Sequence, residues 1–273
     1  MNKTVLFSGA VLMVSLAAAI PGQPQTKSSA IPNFTSAEFG WQTSSGFYFL
    51  PIPGKLAPVG QGPVYESGER LGQADNSNLT PWAADRMKAN NDLVRHGHRA
   101  FSAQSRCWPG GVPGQLVFMA EPVYFIQTPN EVWIVWQRDH LVRRIYLNRE
   151  HRKSVKPSWF GESVGHYENG ELVIDTIGLN DHEYSFVDTF NTPHTKTLHV
   201  VERWKIVDGG NALEATVTAD DPGAFKQPWS GMVRWEKVNR PIEESACAEN
   251  NLGYEELLKL HEYPMPVAHE PDF

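Results

Sequence analysis

The sequence predicts an all-β protein, an antiparallel β-barrel or strongly curved sheet of lipocalin-like shape with short helices at its edges. Three observations favour this fold class. From Gln115 onward, short apolar segments alternate with turn residues, and several of these segments alternate apolar and polar side chains. The links between the segments are short enough for a meander. A chain of this length commonly forms a single β domain.

The first residues have the composition of an export signal. Met1–Lys3 is a short basic start, and an apolar run without charges follows from Val5 to Ala19. The run is shorter than a membrane span, and Ala17 and Ala19 occupy the small-residue positions that a signal peptidase reads. We therefore expect residues 1–19 to be a signal peptide and the protein to be periplasmic or secreted.

The rest of the chain divides by composition into an arm and a domain. Residues 20–71 are rich in Pro, Gly and Ser, so we expect an extended N-terminal arm there, followed by a single β-rich domain over residues 72–273. Cys107 and Cys247 are the two cysteines of the chain. In an oxidising compartment they are expected to form a disulfide, the alternative being two buried free thiols.

The predicted elements of the domain follow from apolar runs bounded by turn residues. Asn169-Gly170 is a strong hairpin signal within this pattern. Helices are expected over residues 83–91, after Thr80-Pro81, and over residues 254–261. The predicted strands are residues 115–119, 123–127, 132–137, 141–147, 163–168, 171–177, 197–207, 212–219 and 232–237.

One predicted strand carries a carboxylate on its apolar face. Over residues 197–207, Glu202 alternates with Leu198, Val200, Trp204 and Ile206. A carboxylate in such surroundings needs a partner or takes a raised pKa. Two interpretations remain open: a group inside a ligand-binding lumen, or an ion pair with an arginine of a neighbouring strand.

Histidines and carboxylates are concentrated near this strand. Asp181 and His182 lie in a predicted loop, and His194 precedes the strand that carries His199 and Glu202. An imidazole oriented by a carboxylate is the usual equipment for proton transfer. We expect His194 and His199 to exchange protons, with Asp181 or Glu202 as orienting group, the alternative being ordinary surface histidines.

Aromatic side chains are abundant, with nine Trp, eight Tyr and thirteen Phe. Most are expected to pack the core. In a hollow barrel the remainder would suit an aromatic ligand that carries an oxygenated or anionic group. Strand alternation sends either Arg143 or Arg144 inward, and the pattern does not decide which. The predicted ligand-binding residues are Arg144, His182, Tyr146, Trp133 and Trp204.

The sequence lacks the motifs of several functional classes. The chain has no GxSxG elbow, no glycine-rich dinucleotide loop and no P-loop, so we expect no organic cofactor. His96 and His98 form the one metal-like pair, too few ligands for a site, and we expect no metal. A net charge of −7 argues against nucleic acid as partner. No second apolar stretch is long enough to span a membrane, and nothing specifies an oligomeric state.

Several short motifs occur between residues 106 and 251: Arg106-Cys107, 109–113 (PGGVP), 127–129 (QTP), 143–147 (RRIYL), 157–165 (PSWFGESVG), 171–176 (ELVIDT), 198–203 (LHVVER) and 247–251 (CAENN). Together they resemble the motifs of a family of secreted bacterial β-rich proteins. The resemblance implies export and a β-rich fold, and it supplies no catalytic residues. Glu162 stands where the family usually has histidine, and Tyr167 where it usually has tryptophan.

Together these features predict an exported, cofactor-independent enzyme that acts on a small aromatic or polycyclic molecule by acid–base chemistry, as an isomerase, lyase or hydrolase. The expected partner is a small-molecule substrate or ligand. Two other functions compete with this prediction. One is a non-catalytic periplasmic carrier of a hydrophobic small molecule, and the other is an interaction module of the cell envelope.

Overall fold

The computed structural model describes residues 31–35, 38–64, 70–98, 103, 107–118, 121–247 and 249. The predicted signal peptide and the predicted helix over residues 254–261 lie outside this part of the chain. Within it, two α-helices are α1 (Pro81–Arg95) and α2 (Gln115–Phe118). The strands are β1 (Gly40–Thr43), β2 (Leu50–Pro51), β3 (Gln61–Val64), β4 (Arg70–Gly72), β5 (Val123–Gln127), β6 (Glu131–Trp136), β7 (Val142–Leu147), β8 (Glu162–Glu168), β9 (Glu171–Ile177), β10 (His199–Val207), β11 (Ala212–Asp220) and β12 (Trp229–Val238).

The predicted all-β barrel with short helices is confirmed. Strands β5 to β12 follow one another in the sheet, and β1 pairs with both β5 and β12, which closes a nine-stranded barrel. Strand β2 extends the sheet beside β12, where Pro51 pairs with Gly231. Closure gives each of the nine strands a neighbour on both sides, although β1 meets β5 through the single pair Trp41 and Val123.

One pair of barrel strands is parallel, which the predicted antiparallel meander did not include. Strands β7 and β8 run in the same direction, with Ile145 opposite Ser163 and Leu147 opposite Gly165. A parallel pair needs a connection that returns along the strands. Residues 148–161 form this connection, which we call the crossover. It matters for the sites described below.

Eight of the nine predicted strands are strands in the structure, with ends within three residues of the predicted ones. The exception is the segment 115–119, which begins the short helix α2. A short apolar run does not distinguish a strand from a helix. Here the carbonyl of Gly111 accepts the N–H of Gln115 at 2.9 Å, which starts a helical turn. Helix α1 is longer than predicted and begins after Thr80, whose hydroxyl accepts the N–H of Ala83.

The segment expected to be an extended arm contributes to the barrel. Strand β1 lies within it and supplies the pairings that close the sheet. Its Trp41 is buried, and the indole N–H donates to the carbonyl of Phe34. Proline and glycine in this segment indicated irregular backbone, but burying a tryptophan stabilises a short strand against that tendency.

The barrel interior is filled by side chains from the inward faces of the strands. Trp204 stacks on Trp235 with ring centroids 4.9 Å apart, and Phe125 meets Trp204 edge-on at 5.4 Å. The alternation predicted for β10 is confirmed, since Val200, Glu202 and Trp204 are buried. A core this rich in aromatic rings anchors the outward-facing residues of the same strands.

The predicted disulfide is present. Cys107 and Cys247 are bonded, with their Cα atoms 5.4 Å apart, and the bond ties the segment before α2 to the segment after β12. In the described part of the chain, no helix is both long enough and apolar enough to cross a membrane.

Candidate functional site

The structure distributes the predicted site residues over three places. The connection between β9 and β10 carries Asp181, His182 and His194. The outer face of the barrel carries His199, and its outer surface also carries the predicted ligand-binding residues Trp133, Arg144 and Tyr146. The interior holds Glu202 and Trp204. His194 and His199, expected to act together, therefore belong to different surroundings.

A hairpin in the β9–β10 connection brings Ser185 beside His194. Phe186 and Pro193 form an antiparallel bridge, and the N–H of Val187 donates to the carbonyl of Thr192 at 3.0 Å. Ser185 and His194 are the next residues on either side of this bridge. Their side chains meet because opposite residues of an antiparallel pair lie close together.

The tip of this hairpin is held by a buried carboxylate. Asp188 Oδ1 accepts the backbone N–H groups of Phe190 and Thr192, at 2.9 and 3.1 Å. Burial raises the pKa of Asp188 to about 6, although these hydrogen bonds favour the charged form. Asp188 therefore ties the tip of the hairpin that carries Ser185 and His194, and the burial of its carboxylate lowers the stability of the folded protein at neutral pH.

Ser185 and His194 form a hydrogen-bonded dyad. The distance between Ser185 Oγ and His194 Nε2 is 2.9 Å, and His194 Nδ1 lies 3.0 Å from the carbonyl oxygen of Thr195. A carbonyl oxygen only accepts, so Nδ1 carries the proton and donates to Thr195. Nε2 is then free to accept the hydroxyl proton of Ser185. Ser185 as nucleophile, His194 as base and the Thr195 carbonyl as orienting acceptor thus form one hydrogen-bonded chain.

The electrostatic surroundings keep this imidazole neutral. Burial lowers the pKa of His194, and the Thr195 carbonyl and the carboxylates of Asp221 and Asp181 oppose that shift. At pH 7 the ring is a base with a lone pair on Nε2. Asp181, predicted to orient an imidazole, acts on His194 only through this Coulomb attraction and is itself exposed.

An aromatic cluster lies against the dyad. Its centre is His182, whose ring centroid is 5.2 Å from that of Trp108, 5.5 Å from Trp159 and 6.0 Å from Tyr184. The N–H of Ser185 donates to the carbonyl of His182 at 2.8 Å, so cluster and dyad share one turn. Trp108, Trp159 and His182 are partly exposed and offer ring faces to a ligand.

A glycine-rich loop lies close to the serine. Gly111 has φ of +69°, and a Cβ at this position would lie 3.5 Å from Ser185 Oγ. In the same loop the N–H of Gly110 donates to Gln115 Oε1 at 2.6 Å. Gln115 Nε2 is buried and finds no hydrogen-bond partner among the described residues. Gln115 thus belongs to the loop whose Gly111 lies close to Ser185, and a buried donor without a partner is available to a developing negative charge.

His199 has a different partner from those predicted. On the outer face, Asp175 Oδ1 lies 3.0 Å from His199 Nε2 and 2.9 Å from His151 Nε2. Hydrogen bonding to His199 lowers the pKa of Asp175, and the same bond raises the pKa of His199. The carboxylate that orients His199 is therefore Asp175, neither Asp181 nor Glu202.

Arg144 is on the outer surface of the barrel and Arg143 is inside. The Arg144 guanidinium pairs with Glu131 and lies 4.7 Å from the ring centroid of Tyr146 and 5.7 Å from that of Trp133. Arg144, Tyr146 and Trp133 were predicted to bind a ligand inside a hollow barrel, but they form a cation–π stack on its outer surface. Trp204, the interior member of the predicted set, is core.

The carboxylate on the apolar face of β10 is an ion-pair partner. Glu202 is fully buried and binds Arg143 through both carboxylate oxygens. Arg143 also donates to Ser163 Oγ at 3.0 Å and to Thr176 Oγ1 at 2.8 Å. Of the two interpretations left open by the sequence, the arginine pair is the one observed, and Glu202 does not orient an imidazole.

Three residues of these sites escaped the sequence analysis: Ser185, Gln115 and Asp175. Serine is common and carries no motif here, and Gln115 stands in a run that favoured a strand. Asp175 alternates with Ile174 and Thr176 in a recognised strand, so its outward direction was predictable. Its histidine partners were not, because one of them belongs to the crossover.

No protein-family model, no curated protein and no solved structure matches this chain.

Proposed function

We propose that the chain is an exported, cofactor-independent hydrolase that cleaves small aromatic esters, with Ser185 as nucleophile and His194 as general base. The observation that carries this proposal is the line Ser185 Oγ, His194 Nε2, His194 Nδ1 and Thr195 O, with contacts of 2.9 and 3.0 Å. It narrows the isomerase, lyase or hydrolase chemistry indicated by the sequence. The disulfide supports an oxidising compartment, periplasmic or external.

The chemistry follows from the proton positions. Ser185 Oγ attacks the ester carbonyl carbon while its proton passes to His194 Nε2, and the Thr195 carbonyl and Asp221 stabilise the resulting imidazolium. The carbonyl π bond opens and leaves an oxyanion, for which the unpartnered Nε2 of Gln115 is the proposed donor. The oxyanion collapses, the alkoxide leaves, and it takes the proton from Nε2.

Water completes the cycle. The acyl group on Ser185 is attacked by a water molecule whose proton goes to His194 Nε2, and the serine is then released with that proton. The cluster of Trp108, Trp159 and His182 is the proposed platform for the aromatic part of the substrate. Stacking on partly exposed rings would fix the ester beside Ser185 without a charged contact.

The test uses an aryl fluorophosphonate and p-nitrophenyl benzoate. Attack by Ser185 on the phosphorus displaces fluoride, and peptide mass spectrometry is expected to place one adduct on Ser185. Ser185→Ala is expected to lose the adduct and to reduce kcat for ester hydrolysis by about 10³-fold or more. Ser154→Ala, at an exposed serine of the crossover, is the matched control and should behave as the unaltered chain.

A second candidate, the non-catalytic carrier, is favoured by one observation. Ser185 and His194 are only 6% and 5% exposed, so a ligand must displace neighbouring groups to reach them. A carrier would bind an aromatic compound at the cluster with no turnover and no adduct. Hydrolysis unchanged by Ser185→Ala would contradict the hydrolase, and binding of p-nitrophenyl benzoate without hydrolysis would support the carrier.

A further inference from the structure

We propose that a groove on the outer face of the barrel is a second binding site, for a small organic cation with a flat apolar body. It is separate from the Ser185–His194 dyad and does not depend on the hydrolase proposal. We call it the crossover groove. It is lined by residues 148–150 of the crossover and by outward-facing residues of β8, β9 and β10.

The parallel strand pair creates this groove. Because β7 and β8 run in the same direction, the crossover must return along the outside of the barrel. It starts where the N–H of Asn148 donates to the carbonyl of Gly165, and it is tied down where Arg149 and Arg152 bind Glu162. Between its first residues and the sheet a space of about 360 Å³ remains, in the range of small-molecule sites.

The floor of the crossover groove is apolar. Val164 and Val201 both lie opposite Asp175 in the strand register, on its two sides. Val173 precedes Asp175 by two residues and faces the same way. Three valines thus surround one carboxylate: Val164 and Val173 are nearly buried, at 8% and 7% exposure, and Val201 is partly exposed. A flat apolar ligand can bury area there while a polar group reaches the centre.

The carboxylate at the centre of the floor has one oxygen in use. Asp175 Oδ1 receives both imidazoles, of His151 and His199, whereas Oδ2 accepts no hydrogen bond from the described residues. The side chain is 40% exposed. A second carboxylate, Glu150, stands on the rim. The groove therefore offers an oxygen acceptor and negative charge to whatever lies on the valines.

The cation on the rim does not reverse this charge. Arg149 is bound to Glu162, and its guanidinium lies 3.7 Å from the ring centroid of Tyr146. His166, the remaining basic group of the lining, lies 3.9 Å from Glu168. Charge complementarity favours an ammonium at Asp175 Oδ2, with an aromatic or aliphatic body over the valines.

Three indole compounds of nearly equal shape test whether the crossover groove prefers a positively charged ligand. Tryptamine is cationic, tryptophol neutral and indole-3-acetate anionic, and each is titrated at pH 8.5 into full-length protein with labelled valine methyl groups. We expect tryptamine to shift the methyl signals of Val164, Val173 and Val201 and to bind at least tenfold more tightly than tryptophol. Indole-3-acetate should leave these signals unchanged. Equal binding of all three, or shifts elsewhere only, would overturn the proposal.

Variants identify the carboxylate. Asp175→Asn is expected to remove the tenfold preference for tryptamine, and Asp85→Asn, at an exposed position of α1, is the matched control that keeps it. Val201→Arg, which covers the floor from the partly exposed face of β10, should abolish tryptamine binding with Asp175 intact. Ser185→Ala should bind tryptamine as the unaltered chain does, so failure of the hydrolase proposal is recognised separately. Tryptamine binding unchanged in both Asp175→Asn and Val201→Arg would refute the site.

Discussion

Removing the charge of Glu202 should destabilise the barrel far more than removing a charge from its surface. Glu202→Gln keeps the shape of the side chain, but it leaves the buried Arg143 guanidinium without a counter-charge. It also turns one carboxylate oxygen that accepts from Arg143 into an NH₂ donor facing a donor. The hydroxyls of Ser163 and Thr176 still accept from Arg143, but they carry no negative charge.

The expected loss is that of breaking a buried ion pair, about 3–5 kcal/mol in the free energy of unfolding. For a chain of this size this corresponds to a fall in Tm of about 6–20 °C. Urea denaturation followed by tryptophan fluorescence gives the free energy, and calorimetry gives Tm. The disulfide must be kept oxidised throughout, so that the unfolded state is the same in every variant.

Glu131→Gln is the matched control for this prediction. Glu131 also binds an arginine, Arg144, but the pair lies at the surface, where water screens it. Its loss should change stability much less. Arg143→Met combined with Glu202→Leu should recover most of the loss, because apolar replacement of both partners removes two buried charges together. Equal destabilisation by Glu202→Gln and Glu131→Gln would refute the reasoning.

Three further predictions concern single groups. Asp188→Asn should stabilise the protein at pH 8, by up to about 3 kcal/mol for a pKa raised from 3.8 to about 6. Because the carboxyl pKa of Asp188 is raised in the folded protein, the unaltered chain loses stability as pH rises through about 6. The stability gained by Asp188→Asn should therefore shrink towards pH 5. Paired calorimetric scans that show the same gain at every pH would contradict this prediction. Gln115→Glu retains the oxygen that accepts from Gly110 but removes the unpartnered N–H donor. It should lower kcat for p-nitrophenyl benzoate by about 10²-fold or more with little change in KM. An unchanged kcat would exclude Gln115 as the oxyanion donor. The imidazole of His199 should titrate above its ordinary pKa in NMR spectra and return towards it in Asp175→Asn, whereas an unchanged titration would show that Asp175 is not the cause.

Strand positions were predictable because alternation and turn signals are local properties of the chain. The segment 171–177 was predicted with its observed ends, and Asn169-Gly170 marked the turn before it, where both residues have positive φ. The inward face of β10 followed from the apolar residues that alternate with Glu202. In the segment 115–119 the same reasoning failed, because a backbone contact with Gly111 decided for a helix.

Partners were not predictable, because they depend on which strands pair and in which direction. Alternation required Arg143 and Arg144 to face opposite ways, yet only the position of Glu202 on the inward face of β10 shows which one is inside. The predicted orienting carboxylates, Asp181 and Glu202, do not contact His199; Asp175 reaches it through the β9–β10 register. Ser185 and His194 are paired by a hairpin that the sequence does not signal, because its tip contains neither Asn-Gly nor Asp-Gly.

Strand β9 separates the interior network from the outer face by a single residue. Thr176 points inward and binds Arg143, while Asp175 points outward and binds His199. If the barrel fixes the orientations of Thr176 and Asp175 independently, Glu202→Gln should lower stability without changing the pKa of His199. A shifted titration in that variant would instead mean that the backbone of β9 yields when the core pair is broken. The interior pair would then position the outer carboxylate, and ligand affinity at the crossover groove would fall together with stability.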